Sequence, residues 1–242
     1  MVSGVLPAKH GIYYNTPVEP LGISGKWFWY YKDIKVPTIW SLAKDAGLKT
    51  AGVSWPVTVG APIDYNLPEY VILPQGKGEK KDEIKAMLLE SNPKELFQEI
   101  QDYAVGKFAE NGATLDYYTS DQNKARMAAY ILKRYKPSFL ALHIALTDHY
   151  EHEQGRDGAK VRSAVSGADV AIKTVMDAAE AAGIAKNTTF IITGDHGFVD
   201  IHTQFRPNVM LAKLGLYDDA SSFVHLRDPK DKATLSKVPC VG

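Results

Sequence analysis

The chain has 242 residues, 45% of them hydrophobic and 23% charged, with 28 basic and 28 acidic side chains and a formal net charge of zero. That length buries a sizeable core without staples, and the charge balance excludes a surface built to hold a nucleic-acid polymer. The single cysteine, Cys240, excludes an intrachain disulfide. No apolar run approaches the ~18 residues that span a bilayer, and the first ten residues have neither the basic start nor the apolar stretch of an export signal.

Residues 1–37 are rich in Gly, Pro and aromatic side chains, including the run Trp27-Phe28-Trp29-Tyr30-Tyr31, and predict loops with a short strand or two. Pro37-Thr38 opens a helix that runs to Ala46 and stops at Gly47. Lys49–Ser54 predicts a short buried strand, and residues 57–81 a long loop region. Asn92-Pro93 predicts a helix start with Asn as cap, followed by Leu96, Phe97, Ile100, Tyr103, Ala104 and Phe108 at helical spacing. Asp121 caps the next expected helix, which carries Ala125, Ala128, Ile131, Leu132 and Tyr135 on its apolar face and closes at Pro137. Ser138–Leu146 predicts an apolar strand, Lys160–Ala182 the longest helix, and the β-branched run Thr188–Thr193 a further strand parallel to it. Helices alternating with apolar strands predict an α/β domain, one mostly parallel sheet covered on both faces, spanning residues 1–242 without a boundary.

Two polar clusters follow the two best strands. One is Thr147-Asp148-His149-Tyr150-Glu151-His152, the other Gly194-Asp195-His196-Gly197. Ligands in open α/β sheets bind beyond the carboxyl ends of the strands. A carboxylate with imidazoles is a ligand set for zinc or a similar divalent metal. Asp148 and His152 lie close enough along the chain to reach one ion, and the glycines flanking Asp195-His196 permit a turn that converges those two side chains. A single Asp-His pair at a strand end also serves as a turn former or cap. Two such pairs, separated by one long helix, favour a metal site. His149 and Glu151 are neighbours with a supporting or solvent-facing role.

Asp-x-x-x-His, a long helix, a strand and Asp-His-Gly together resemble the alkaline phosphatase superfamily. Ser3-Gly4-Val5-Leu6-Pro7, His10-Gly11-Ile12 and Asn15 narrow the resemblance to its type I phosphodiesterase/nucleotide pyrophosphatase branch. Pro37-Thr38-Ile39-Trp40, Ala43, Gly47 and Ser54-Trp55-Pro56 continue the pattern, which extends to about Asn208. The resemblance implies a three-layer α/β/α sandwich of alkaline phosphatase type. It also implies two divalent ions, zinc in this family, with Asp148 and His152 as ligands of one and Asp195 and His196 as ligands of the other. Asn15 matches the amide that hydrogen-bonds a phosphate oxygen. The implied substrate is a small-molecule phosphate ester, and members of this branch are commonly periplasmic or secreted.

The departures from the pattern are specific. The family's nucleophilic Thr or Ser lies ten residues before the glycine that Gly4 matches, and its first metal-ligand Asp lies further upstream, so both positions fall before Met1. Nothing matches the last metal-ligand His; His202 and His225 are the only later histidines. The expectation is therefore a domain incomplete at its N-terminus and catalytically dead or nearly so, whose open sheet edge is covered by a partner chain, such as a second copy, or by a rearranged terminus, or else leaves the protein marginally stable. The alternatives are another hydrolase of the superfamily, such as a phosphonate hydrolase, and a non-catalytic α/β remnant that binds ligand without turnover. Cys240 lacks the sequence context of a sulfatase formylglycine.

Overall fold

A computed structural model of the chain describes residues 1–17, 25–74, 82–108, 117–202 and 207–216. The helices are α1 (Pro7–His10), α2 (Ile39–Asp45), α3 (Glu83–Glu90), α4 (Leu96–Ile100), α5 (Tyr117–Tyr135), α6 (Leu146–Gln154), α7 (Ala159–Ala181) and α8 (Pro207–Lys213). The strands are β1 (Thr50–Val53), β2 (Tyr65–Leu67) and β3 (Phe139–Leu142). The chain divides into two compact units, Met1–Tyr13 with Phe28–Val199, and Tyr14–Trp27 with Asp200–Gly242.

In the first unit the three strands form an open, all-parallel sheet in the order β2-β1-β3. Register fixes its two faces. Ala51, Tyr65 and Leu140 are neighbours across the sheet, as are Val53, Leu67 and Leu142. These side chains meet Leu96, Phe97 and Ile100 of α4 and Met127, Ala128 and Ile131 of α5. Phe139 and Ala141 alternate to the opposite face, where they pack with Ile63 and with Trp40 of α2. Helices therefore cover both faces, the α/β/α arrangement expected from the alternation of apolar strands and helices. The central strand β1 is buried along its whole length and is made of small residues for a steric reason. A Cβ at Gly52 would stand 2.9 Å from Asn66 Oδ1 and 3.3 Å from Ile63 Cδ1.

Local chemistry explains most element ends. Thr38 caps α2 in a capping box with Ser41, and Gly47 follows with φ +71°, as the sequence predicts. Pro137 lies between α5 and β3. The long helix α7 buries Val161, Ala164, Ala171, Ala178 and Ala179, whereas Val165 faces solvent. In the second unit, Leu211 and Leu216 are buried and Gly215 turns the chain after α8 with φ +69°.

Four expectations change. The 57–81 region contains β2 within its described part, held because Asn66 donates its amide to Thr58 O and the Asn92 backbone pairs with Asn66. Residues 75–81 of that region lie outside the described residues. Asn92 caps no helix: its side chain donates to Ile63 O at 2.7 Å, and α4 starts only at Leu96. The α4 pattern does not continue to Phe108, because the backbone passes into a π-helical turn over Gln101–Val105 and ends at Gly106, leaving Tyr103 exposed. Thr188–Thr193 forms no strand. Thr188 has an extended backbone, but the segment has no regular structure, no described strand offers it a ladder, and Ile191 and Ile192 are 84% and 68% exposed.

Candidate metal centre

The strand β3 ends at Leu142, and the chain turns within three residues into α6. That helix has no capping side chain of its own at Ala145. The cap comes from α5 instead. Asp121, buried, accepts hydrogen bonds from the backbone N–H of Ala145 at 3.1 Å and of Leu146 at 2.9 Å. Its carboxylate therefore satisfies two of the orphan donors at the α6 N-terminus and places negative charge at the positive end of the helix. Sequence reading assigned Asp121 to the start of α5; it lies inside α5 and caps α6. Leu146 and Tyr150 then anchor the buried side of α6 against Val161 and Ala164 of α7.

On the other side of α6, Asp148 and His152 stand at i and i+4, one above the other. His152 Nε2 lies 3.5 Å from Asp148 Oδ1. The second pair arrives from the end of the 188–193 segment. His196 Nε2 lies 3.5 Å from the same Asp148 Oδ1 and 3.7 Å from Asp195 Oδ2. The turn that delivers it is tight at Gly194, where a Cβ would meet the His196 carbonyl oxygen at 3.1 Å. The two pairs thus adjoin through Asp148, whose Oδ1 is 3.5 Å from Nε2 of both imidazoles. All four remain partly open to solvent.

The spacing suits the donor chemistry. Two ligand atoms each about 2.0–2.2 Å from a tetrahedral ion stand about 3.3–3.6 Å apart, close to the separations between Asp148 Oδ1 and each imidazole nitrogen. Among the described residues, no group of three or more His, Cys, Asp or Glu side chains is gathered to hold one ion. The donors meet as pairs.

His149 turns to Glu153 at 3.1 Å, and Glu153 pairs in turn with Lys160 at 3.2 Å, which ties α6 to the start of α7. Glu151 is half-buried on the same helix. Asn15 has an exposed side chain and belongs to the second unit, as does His202; His225 lies outside the described residues. Phe198 is the contact that sequence reading missed. Its ring stands 4.8 Å from the His152 ring and 5.4 Å from the His196 ring. An aromatic residue beside Asp-His-Gly was the only signal available in the sequence, and it says nothing about which side chains the ring meets.

A model of the type I phosphodiesterase/nucleotide pyrophosphatase family matches residues 1–239. The chain belongs to the type I phosphodiesterase/nucleotide pyrophosphatase family. This is the branch of the alkaline phosphatase superfamily to which the motifs point, and the three-stranded parallel sheet with helices on both faces is consistent with its fold. Family membership assigns the chain to phosphate-ester hydrolases acting on small-molecule substrates, a group that generally depends on divalent metals. Comparison with curated proteins and with solved structures finds no match. Among the described residues no helix is long and apolar enough to cross a membrane.

Proposed function

We propose that the chain carries the metal-binding part of a two-metal phosphodiesterase/nucleotide pyrophosphatase centre. Asp148 and His152 hold one ion, Asp195 and His196 the other, and zinc is the ion that best suits carboxylate with imidazole. The observation that supports this reading is the spacing within each pair, His152 Nε2 3.5 Å from Asp148 Oδ1 and His196 Nε2 3.7 Å from Asp195 Oδ2, with the two pairs adjoining where His196 Nε2 lies 3.5 Å from Asp148 Oδ1. Two cations there would supply charge against the developing negative charge of a phosphoryl group and its leaving oxygen. In this reading the Asn15 amide donates to a phosphate oxygen without altering the net charge of the site.

The same reading has the chain turn over slowly or not at all. With the four candidates alone, each ion would have two protein ligands where three or four are usual, which weakens metal binding. Weak metal binding favours a second reading, binding of a phosphate ester without hydrolysis. Equilibrium dialysis against zinc and turnover of a nitrophenyl phosphodiester with excess zinc test both parts. The expected result is zinc uptake that falls in Asp148→Ala and His196→Ala, with turnover near the uncatalysed rate. No uptake at millimolar zinc overturns the metal assignment. Zinc-dependent turnover at a typical enzyme rate overturns the expected inactivity.

A further inference from the structure

The two imidazoles of the candidate centre reach Asp148 from separate places, His152 from α6 and His196 from the turn after the 188–193 segment, and both are more than half exposed. An exposed histidine has two free side-chain torsions and no reason to keep one ring orientation. Local hydrogen bonding supplies little: His196 Nδ1 has only the Gly197 carbonyl oxygen, at 3.4 Å. What the two rings share is Phe198. Its ring meets His152 nearly edge-on, with centroids 4.8 Å apart and planes at 81°, and meets His196 at 5.4 Å and 57°. Every residue from Ile191 to Gly197 is exposed, and so are Val199 and Asp200; Phe198 alone in that stretch is half-buried.

We infer that Phe198 is a positioning residue that aims Nε2 of both His152 and His196 at the Asp148 carboxylate. The edge-to-face contact with His152 and the tilted contact with His196 each favour one ring orientation over its alternatives. A single ring between the two imidazoles couples their orientations, so that fixing one fixes the other. Phe198 offers no donor to an ion and would act only through the histidines, in the way that outer groups orient metal ligands elsewhere. The purpose of the arrangement rests on the metal assignment proposed above; the positioning itself does not, and the two fail separately.

The test uses the full chain without metal and then with zinc. In the metal-free protein, nuclear Overhauser contacts are measured between the Phe198 ring protons and the ring protons of His152 and His196. Contacts to both imidazoles are expected, and absence of either overturns the inference whatever the protein does with zinc. In Phe198→Leu the His152 and His196 ring-proton shifts should collapse toward unstructured values, while backbone amide shifts outside the site stay in place. Phe198→Tyr should restore them. Zinc affinity by chelator competition should fall about 10- to 100-fold in Phe198→Leu and recover in Phe198→Tyr. Wild-type affinity retained in Phe198→Leu overturns the inference. Contacts present in a wild-type chain that takes up no zinc uphold the positioning and overturn the metal assignment alone. Should Phe198→Leu fail to fold, the wild-type contacts and the Phe198→Tyr variant decide the matter.

Discussion

Asp121 fixes the start of the helix that carries Asp148 and His152. Removing its carboxylate leaves the N–H groups of Ala145 and Leu146 without partners at a buried helix start. The expected loss for Asp121→Ala is about 1–3 kcal/mol, read by urea unfolding, and α6 should lose the fixed position that sets Asp148 beside His196. Asp121→Asn keeps an acceptor for one of the two bonds and should cost less. Glu99 is the second residue with a clear electrostatic signature. It accepts hydrogen bonds from Tyr130 at 2.6 Å and from Tyr135 at 2.7 and 2.8 Å, and Arg134 lies 3.9 Å away. Burial alone would raise its carboxyl, but the two phenols and the guanidinium outweigh burial and hold it below the usual carboxylate range. Burial and the bond to Glu99 push Tyr130 up to about 12. The signs give opposite edges to the stability profile. The Glu99 contribution is present above the ordinary glutamate range and is lost as pH falls through the depressed value. The Tyr130 contribution is present below the ordinary tyrosine range and is lost as pH rises toward about 12. Thermal melts of the wild type and Glu99→Gln across pH 3 to 11 check this: the variant should be less stable near neutrality, and its deficit should shrink at the acid end.

Among the elements, the segment after α7 poses the sharpest packing question. Phe190 packs against the cluster of Ala129, Leu132, Ala178 and Ala179, to which Leu140 of β3 also packs, so the start of the segment is anchored on α5 and α7. Beyond it the backbone from Ile191 onward makes no ladder in the described structure, and two adjacent isoleucines face solvent. The run Thr188–Thr193 has no charge, proline or glycine, the composition that favours pairing with another strand. The expected cover for a sheet edge beside 138–146 remains a proposal; separately, we propose this segment as a place where a second copy would pair. Sedimentation velocity should show association that grows with concentration, and Ile191→Lys should leave a monomer with an unchanged melting temperature, because an 84% exposed side chain contributes little to its own fold. A wild type that stays monomeric at high micromolar concentration contradicts the expectation.

For the whole molecule, metal linkage gives the most direct test. An ion bound by the folded chain and not by the unfolded one stabilises it by about 2.7 kcal/mol at a hundredfold excess over Kd. Calorimetry with zinc should therefore raise the melting temperature by several degrees in the wild type, chelator should reverse the shift, and Asp148→Ala should abolish it. The absence of any zinc-induced shift across the solubility range of the ion would contradict the proposed centre. The chain's net charge of zero and pI near 7.1 reduce self-repulsion near neutral pH, so these measurements belong somewhat away from the pI, where colloidal association is weaker.

Much of the first unit is legible in the amino-acid order. The capping box at Thr38, the small buried strand at 50–53 and the long alanine-rich helix follow from local chemistry and periodicity, and the family was legible in motifs spread from Ser3 to Gly197. Asp148, His152, Asp195 and His196 could be picked out because Asp and His after apolar runs are unusual and chemically specific. Tertiary structure alone decided the rest. The position of β2 depends on Asn66 and Asn92 bridging parts of the chain that are remote in sequence. Asp121 caps a helix 25 residues away, which no local pattern announces. A β-branched run becomes a strand only if a neighbour supplies its hydrogen bonds, so Thr188–Thr193 could satisfy every propensity and still stand unpaired. The shared use of Asp148 by two imidazoles, and Phe198 between them, are contacts between a helix and a turn. Short-range composition sets which groups are available; the distances at which they act arise only when packed helices bring the two ends together.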